Sequence, residues 1–253
     1  MPEKTIIAWT DHTFNPWMGC QKVSDGCKNC YALTLTKNRM GLDLWGHPST
    51  STRKVTKEPW RNVVQWNKKA KEDGVRRRVF CASLCDVFED HPIANETRPK
   101  LWDLVRELDS LDWQILTKRP ERIADNLPSD WNGGWDHVWL GTSVEDMRVA
   151  WRADHLRVIP AAVRFISYEP AIGPLDDLDL TGLDWVIYGG ESGPGYRPED
   201  KNWARVMRDK CEKNNVAFFH KQSAGYKTEL GIELDGKIIR QYPIPRKSHV
   251  FAA

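Results

Sequence analysis

Three of the chain's six cysteines, Cys20, Cys27 and Cys30, fall within eleven residues of one another in the segment FNPWMGCQKVSDGCKNCYA. A C-x2-C pair can bring two thiolates to one metal centre, and a third cysteine on an arm made turn-like by Pro16-Trp17, Met18-Gly19 and Ser24-Asp25-Gly26 can close another side. Three is the informative number. A four-iron cubane held by three cysteines keeps one iron open to a small molecule, as a catalytic metal keeps an open position. A zinc site of Cys3His type, completed by His12 or His47, satisfies the same ligand count. Cys81, Cys85 and Cys211 lie far from the cluster in sequence. In a reducing compartment such a cluster is more often a metal or redox site than a disulfide framework.

The elements that must position these thiols read as alternating strands and helices. Short apolar runs predict strands over 5–9, 78–83, 113–117, 137–143, 163–167, 184–190 and 216–222. Amphipathic patterns between them predict helices beginning near Tyr31, Pro59, Arg98, Val149 and Asp200. Alternation of this kind predicts a parallel sheet with helical crossovers, buried on both faces, and favours a full or partial β/α barrel. The cysteine arm then follows the first strand. Residues 1–225 read as this domain, and 226–253 as a short hairpin around DGKIIRQYP followed by a loosely ordered tail.

Nearly every predicted strand ends in groups capable of chemistry. Ser83, Cys85 and Asp86 follow the second; Thr117, Lys118 and Arg119 the third; Ser143 and Glu145 the fourth; Ser167 and Glu169 the fifth; Glu191 and Ser192 the sixth; Lys221 and Gln222 the seventh. Strand carboxyl ends converge on one face of a β/α barrel, where such folds keep their active sites. Glu169, Glu191 and Lys118 are therefore the candidate catalytic groups.

These residues also carry a resemblance. TFNPWMGCQKVSDGCKNCYA, WQILTKRPERI, VWLGTSVED, RFISYEPAIGPL, DWVIYGGESGPGYRP and FFHKQSAG together resemble a family of uncharacterised proteins of phages, prophages and bacteria. That family is known for its three-cysteine motif and regarded as related to the radical S-adenosylmethionine (SAM) enzymes. The resemblance implies that Cys20, Cys27 and Cys30 hold a [4Fe–4S] cluster whose open iron chelates SAM. One-electron reduction would cleave SAM to methionine and a 5′-deoxyadenosyl radical that abstracts hydrogen from a substrate. The C-x6-C-x2-C spacing departs from the usual C-x3-C-x2-C. The resemblance offers Ser83, Asp86, Ser143, Glu145 and the Gly189-Gly190-Glu191 element as contacts for SAM, its ribose or the substrate.

Composition bounds the partners. The chain has 253 residues, 40% hydrophobic and 28% charged, enough to bury a sizeable core. No window approaches the roughly 18 apolar residues of a membrane helix, and no secretory h-region opens the chain, so a cytoplasmic protein is expected. The net charge of +2 does not by itself advertise nucleic acid. Local features do: the basic runs TKRPER (117–122) and GVRRR (74–78), and the loop tryptophans Trp17, Trp45, Trp131 and Trp135, suit a nucleotide or nucleic-acid substrate. A radical SAM-like enzyme also needs an electron donor. Two other classes share the motif, a zinc-stabilised nucleic-acid-binding module and an iron–sulfur redox protein that does not cleave SAM.

Overall fold

The structure, a computed structural model, describes residues 5–246. In chain order the elements are β1 (His12–Phe14), β2 (Trp17–Met18), α1 (Tyr31–Thr34, continuing as a π-helical turn over Leu35–Arg39), β3 (Lys54–Val55), α2 (Glu58–Asp73) and β4 (Arg77–Cys81). There follow α3 (Pro92–Glu107), β5 (Leu111–Thr117), β6 (Val138–Ser143), α4 (Trp151–Arg157), β7 (Val163–Tyr168), β8 (Trp185–Gly189), α5 (Lys201–Lys213), β9 (Ala217–Gln222), β10 (Glu233–Leu234) and β11 (Lys237–Ile238). The helix limits follow local chemistry. Pro59 opens α2, where a missing N–H costs nothing, and Gly74 ends it in the left-handed conformation at φ 64°.

Seven parallel strands form one sheet in the order β1-β4-β5-β6-β7-β8-β9. The order never reverses, so there is no topological switch point of the doubly wound kind. The sheet is also curled. The indole of Trp9 lies 4.5 Å from the ring of Phe80 on β4 and 6.2 Å from that of Trp185 on β8. In a flat sheet, strands four places apart stand roughly 19 Å apart at about 4.8 Å per strand. One side chain can touch both only if the sheet wraps round it, giving an open half-barrel of α/β type.

Period-two alternation sorts the strand residues between two cores. Val79, Trp113, Ile115, Leu140, Ile166, Val186 and Phe218 face outward and pack with Val63, Leu101, Val105, Leu156 and Met207 of the helices. Phe80, Trp139, Val163, Phe165, Trp185, Ile187 and Phe219 face inward around Trp9. The inner ring is crowded: a Cβ on Gly141 would come within 2.3 Å of the Phe165 ring.

Two expectations are corrected. Residues 5–9 are not the first strand: Ile6 is exposed, the chain turns between Thr5 and Asp11, and Trp9 plugs the curl while His12–Phe14 pairs with β4. An apolar run that supplies a plug looks, in sequence, like one that supplies a strand. The hairpin expected after residue 225 is present, but the chain that follows it is not loose over its described part. Asp235 and Gly236, both at positive φ, turn the β10–β11 hairpin, after which Tyr242 packs on Trp185 at 5.5 Å and the Arg246 N–H donates to the Ala162 carbonyl. Residues 247–253 of the expected tail lie outside the described residues.

Gly141→Ala should therefore overpack the inner ring and cost about 1–3 kcal/mol, read as a lower urea midpoint. Burial lowers the pKa of both His137 and His220 below the ordinary 6.5, and each ring donates to a carbonyl, of Val105 and Ile232 respectively. The unfolded chain takes up these protons first as pH falls. Stability should thus be fullest above about pH 6.5 and decline below it. Urea midpoints measured across that range should fall less in a His137→Gln/His220→Gln variant.

Candidate functional site at the carboxyl ends of the strands

The alternation that builds the aromatic inner ring continues into polar chemistry at the strand ends. Two residues beyond Leu116 stands Lys118; beyond Gly141 come Ser143 and Glu145; beyond Phe165, Ser167 and Glu169; beyond Ile187, Gly189 and Glu191; beyond Phe219, Lys221. An aromatic floor gives way to a charged rim, and the cysteine arm between β2 and α1 is seated on that rim.

Three carboxylates hold the arm, each backed by arginine. Beside Cys20, the Gln21 N–H donates to Glu89 at 2.7 Å, and the Gln21 carbonyl accepts from Arg119 at 2.8 Å. Glu89 is in turn gripped by Arg53 through Nε at 2.8 Å and Nη2 at 2.7 Å, both side chains being essentially buried. Ser24, three residues before Cys27, donates to Glu145 at 3.1 Å, and Glu145 is paired with Arg152 at 2.9 Å and Lys118 at 3.2 Å. Asn29, next to Cys30, donates to Glu191 at 2.9 Å, which also takes the backbone N–H and Nε of Arg197. Although burial opposes ionisation, Arg197 and Asn29 hold the Glu191 carboxyl below its usual value. Gly26 makes the second seat possible, since a Cβ there would lie 2.2 Å from a Glu145 oxygen.

The arm so held walls a cavity of about 150 Å³ lined by all three cysteines together with Tyr31, Trp45, Ser83, Cys85, Lys118 and Ser143. All six cysteines of the chain are free thiols. Arg119 donates to the Cys20 sulfur at 3.6 Å. Burial pushes the Cys20 and Cys30 thiols up from their ordinary value, as it does those of Cys81, Cys85 and Cys211. Among the described residues no three His, Cys, Asp or Glu side chains gather round a single-ion position. The zinc reading needs a histidine, and neither candidate lines the cavity: His12 stacks on Trp66 at 4.3 Å, and the exposed His47 bonds Ser49.

The other sequence candidates separate into cavity and scaffold. Ser83, Ser143 and Lys118 line the cavity. Asp86 reaches it too, but accepts from Thr117, the backbone of Phe88 and Lys118, and Arg119, so its oxygens are committed within the protein. Glu145 and Glu191 hold the arm. Glu169 pairs with Lys221 and packs over Gly189, while Gly190 lies so close to Ala224 that a Cβ would meet its nitrogen at 2.1 Å. Of the four loop tryptophans only Trp45 lines the cavity; Trp17, Trp131 and Trp135 pack against core. The GVRRR run is taken up by ion pairs, Arg76 with Asp112, Arg77 with Asp73 and Arg78 with Asp11. Sequence reasoning missed Arg53, Glu89, Arg152 and Arg197: Arg53 and Glu89 meet across 36 residues, while Arg152 and Arg197 stand only seven and six residues from Glu145 and Glu191 but reach them across the irregular turns after β6 and β8; only the two-residue phase linking Glu145 and Glu191 to their strands was visible.

Glu89→Ala leaves Arg53 and the Gln21 N–H buried without their acceptor. It should cost about 3–5 kcal/mol in chemical denaturation, well beyond the ~1 kcal/mol expected for an exposed pair such as Lys68–Glu72.

No curated protein matches this sequence. Among solved structures, a Haloferax volcanii malate synthase in a pyruvate/acetyl-CoA ternary complex resembles it with 12% identity and a TM-score of 0.35, over 86% of this chain and 66% of that one. The chain thus spans just under two thirds of that structure. Residues 4–243 match the family described as "Protein of unknown function (DUF5131)", and the chain belongs to that family.

Proposed function

We propose that the cavity holds a [4Fe–4S] cluster on Cys20, Cys27 and Cys30, and that the protein is a radical SAM-like enzyme acting on a nucleotide or nucleic-acid substrate. The observation that carries this reading is the placing of three free thiols in one cavity at the carboxyl ends of a parallel half-barrel. When bound, such a cluster with SAM supplies one-electron chemistry for hydrogen abstraction.

The chain's own residues supply position and charge. Arg119 directs an N–H at the Cys20 sulfur, of the kind that tunes a ligating thiolate. Although burial opposes its charge, Glu145 and Cys27 together hold the Lys118 ammonium above its ordinary value at the cavity wall, which suits a carboxylate or phosphate. Ser83 and Ser143 offer hydroxyls, and Tyr31 closes one wall with its O–H donated to the Ser83 carbonyl at 2.6 Å. The Glu169–Lys221 pair offers a carboxylate at the rim that takes no part in holding the arm.

Anaerobic reconstitution with iron and sulfide should give brown protein with equal iron and sulfide, and adding SAM should change the electron paramagnetic resonance spectrum of the reduced cluster. Colourless protein carrying zinc would defeat the reading, and a cluster indifferent to SAM would make it an iron–sulfur redox protein instead. Each of Cys20→Ala, Cys27→Ala and Cys30→Ala should lose nearly all iron, whereas Cys81→Ala and Cys211→Ala should retain it.

A further inference from the structure

Charge in this chain is segregated. Residues 20–61 contain eight Lys and Arg against three Asp and Glu, a net +5, while the whole chain is only +2, so the remainder carries −3. Of the eight, only Arg53 is buried and committed, to Glu89. The other seven are exposed and form no ion pair among the described residues. Elsewhere arginines are characteristically matched: Arg106 with Asp130, Arg148 with Asp146, Arg157 with Asp179 and Arg205 with Asp235. A surface that merely needs solvation mixes its signs; this segment does not.

The same segment frames the cavity. It supplies Cys20, Lys22, Cys27, Cys30, Tyr31 and Trp45 to the wall. Its later part, β3 on the edge of β2, runs into a surface groove lined by Val55, Lys57, Trp60 and Arg61, with Glu96 and its ion-pair partner Lys100 opposite. Aromatic surface is interleaved with the cations: Tyr31 is 54% exposed on the cavity wall, and Trp60 stands between Lys57 and Arg61 in sequence. Cations that follow a backbone, with rings on which bases can stack, are the requirements for single-stranded nucleic acid. An acidic protein surface would make no use of the rings.

We infer that the exposed cations of residues 22–61 form a track for the phosphates of a single-stranded nucleic acid, leading one nucleotide into the cysteine cavity. This rests on the proposed reading of the cavity as a site that acts on a nucleotide, and makes the substrate a polymer instead of a free nucleotide.

The test is fluorescence anisotropy of a labelled, mixed-sequence single-stranded oligodeoxynucleotide and its RNA counterpart, titrated with the full chain over a range of salt. Iron and sulfide content is assayed on the same preparations, so that loss of the cluster and loss of binding are read separately. Lys54→Gln/Lys57→Gln/Arg61→Gln should weaken binding about tenfold or more. It should also lower the log–log salt slope by about 2, for three contacts at roughly 0.7 each. Lys37→Gln/Arg39→Gln should lower the slope by about 1.4 on the same basis. Lys201→Gln/Lys213→Gln on α5 should change neither. Absence of binding to both oligonucleotides, a slope unaffected by the first two variants, or equal binding to phosphatidylserine vesicles with equal sensitivity to these variants would overturn the track. Oligonucleotide binding that follows the variants in protein without iron would uphold the track while the cluster assignment fails.

Discussion

The rest of the site depends on the pairing of buried carboxylates with arginine at the strand ends. An irregular arm of eleven residues, from Cys20 to Cys30, has little secondary structure of its own. What fixes it is polar contact with Glu89, Glu145 and Glu191, and against those carboxylates stand Arg53, Arg119, Arg152 and Arg197. Breaking one partner of such a couple strands the other, whereas an apolar replacement of both could preserve stability while losing the hydrogen bonds to the arm. The couples are therefore better understood as the means of placing thiols than as a source of stability.

The half-barrel supplies the register those couples need. Because side chains alternate faces, a residue two positions beyond an inward aromatic is also inward, and β6, β7 and β8 each carry the pattern from ring to carboxylate. The floor of rings excludes water from beneath, and Gly141 and Gly26 are places where the absence of a Cβ lets one layer settle onto the next. Floor and rim are thus one periodic device read at two heights along the strands.

Much of this was legible in the sequence for physical reasons. Six of the seven sheet strands are continuous apolar runs bounded by turn residues, and their polar ends could be aligned without knowing the fold. The three cysteines declared themselves by spacing, and the cavity contains Ser83, Lys118 and Ser143 as the strand-end argument anticipated. Three kinds of feature were hidden. Trp9 belongs to a plug that shares its composition with a strand. Arg53 reads as one cation in a basic stretch, and only the fold shows it buried against a carboxylate 36 residues on. Glu145 and Glu191 were visible as strand-end acids, but their commitment to Ser24 and Asn29 spans 121 and 162 residues and has no local signal. Asp86 shows the converse, a correctly placed polar group already occupied by its neighbours.

Those long spans also bear on how the chain matures. Cys20, Cys27 and Cys30 are made well before the last of their anchors, Glu191 and Arg197, which follow β8, the sixth strand along the sheet. Contacts of such separation form only after the intervening chain has closed its loops. During synthesis the thiols are consequently tethered in sequence long before they are fixed in space, and they stay open to solvent until the chain has grown through the 162 residues that separate Asn29 from Glu191. Loading of any metal group would then be a late event, done on a nearly complete sheet, and the nascent chain would have to be kept reduced throughout that interval.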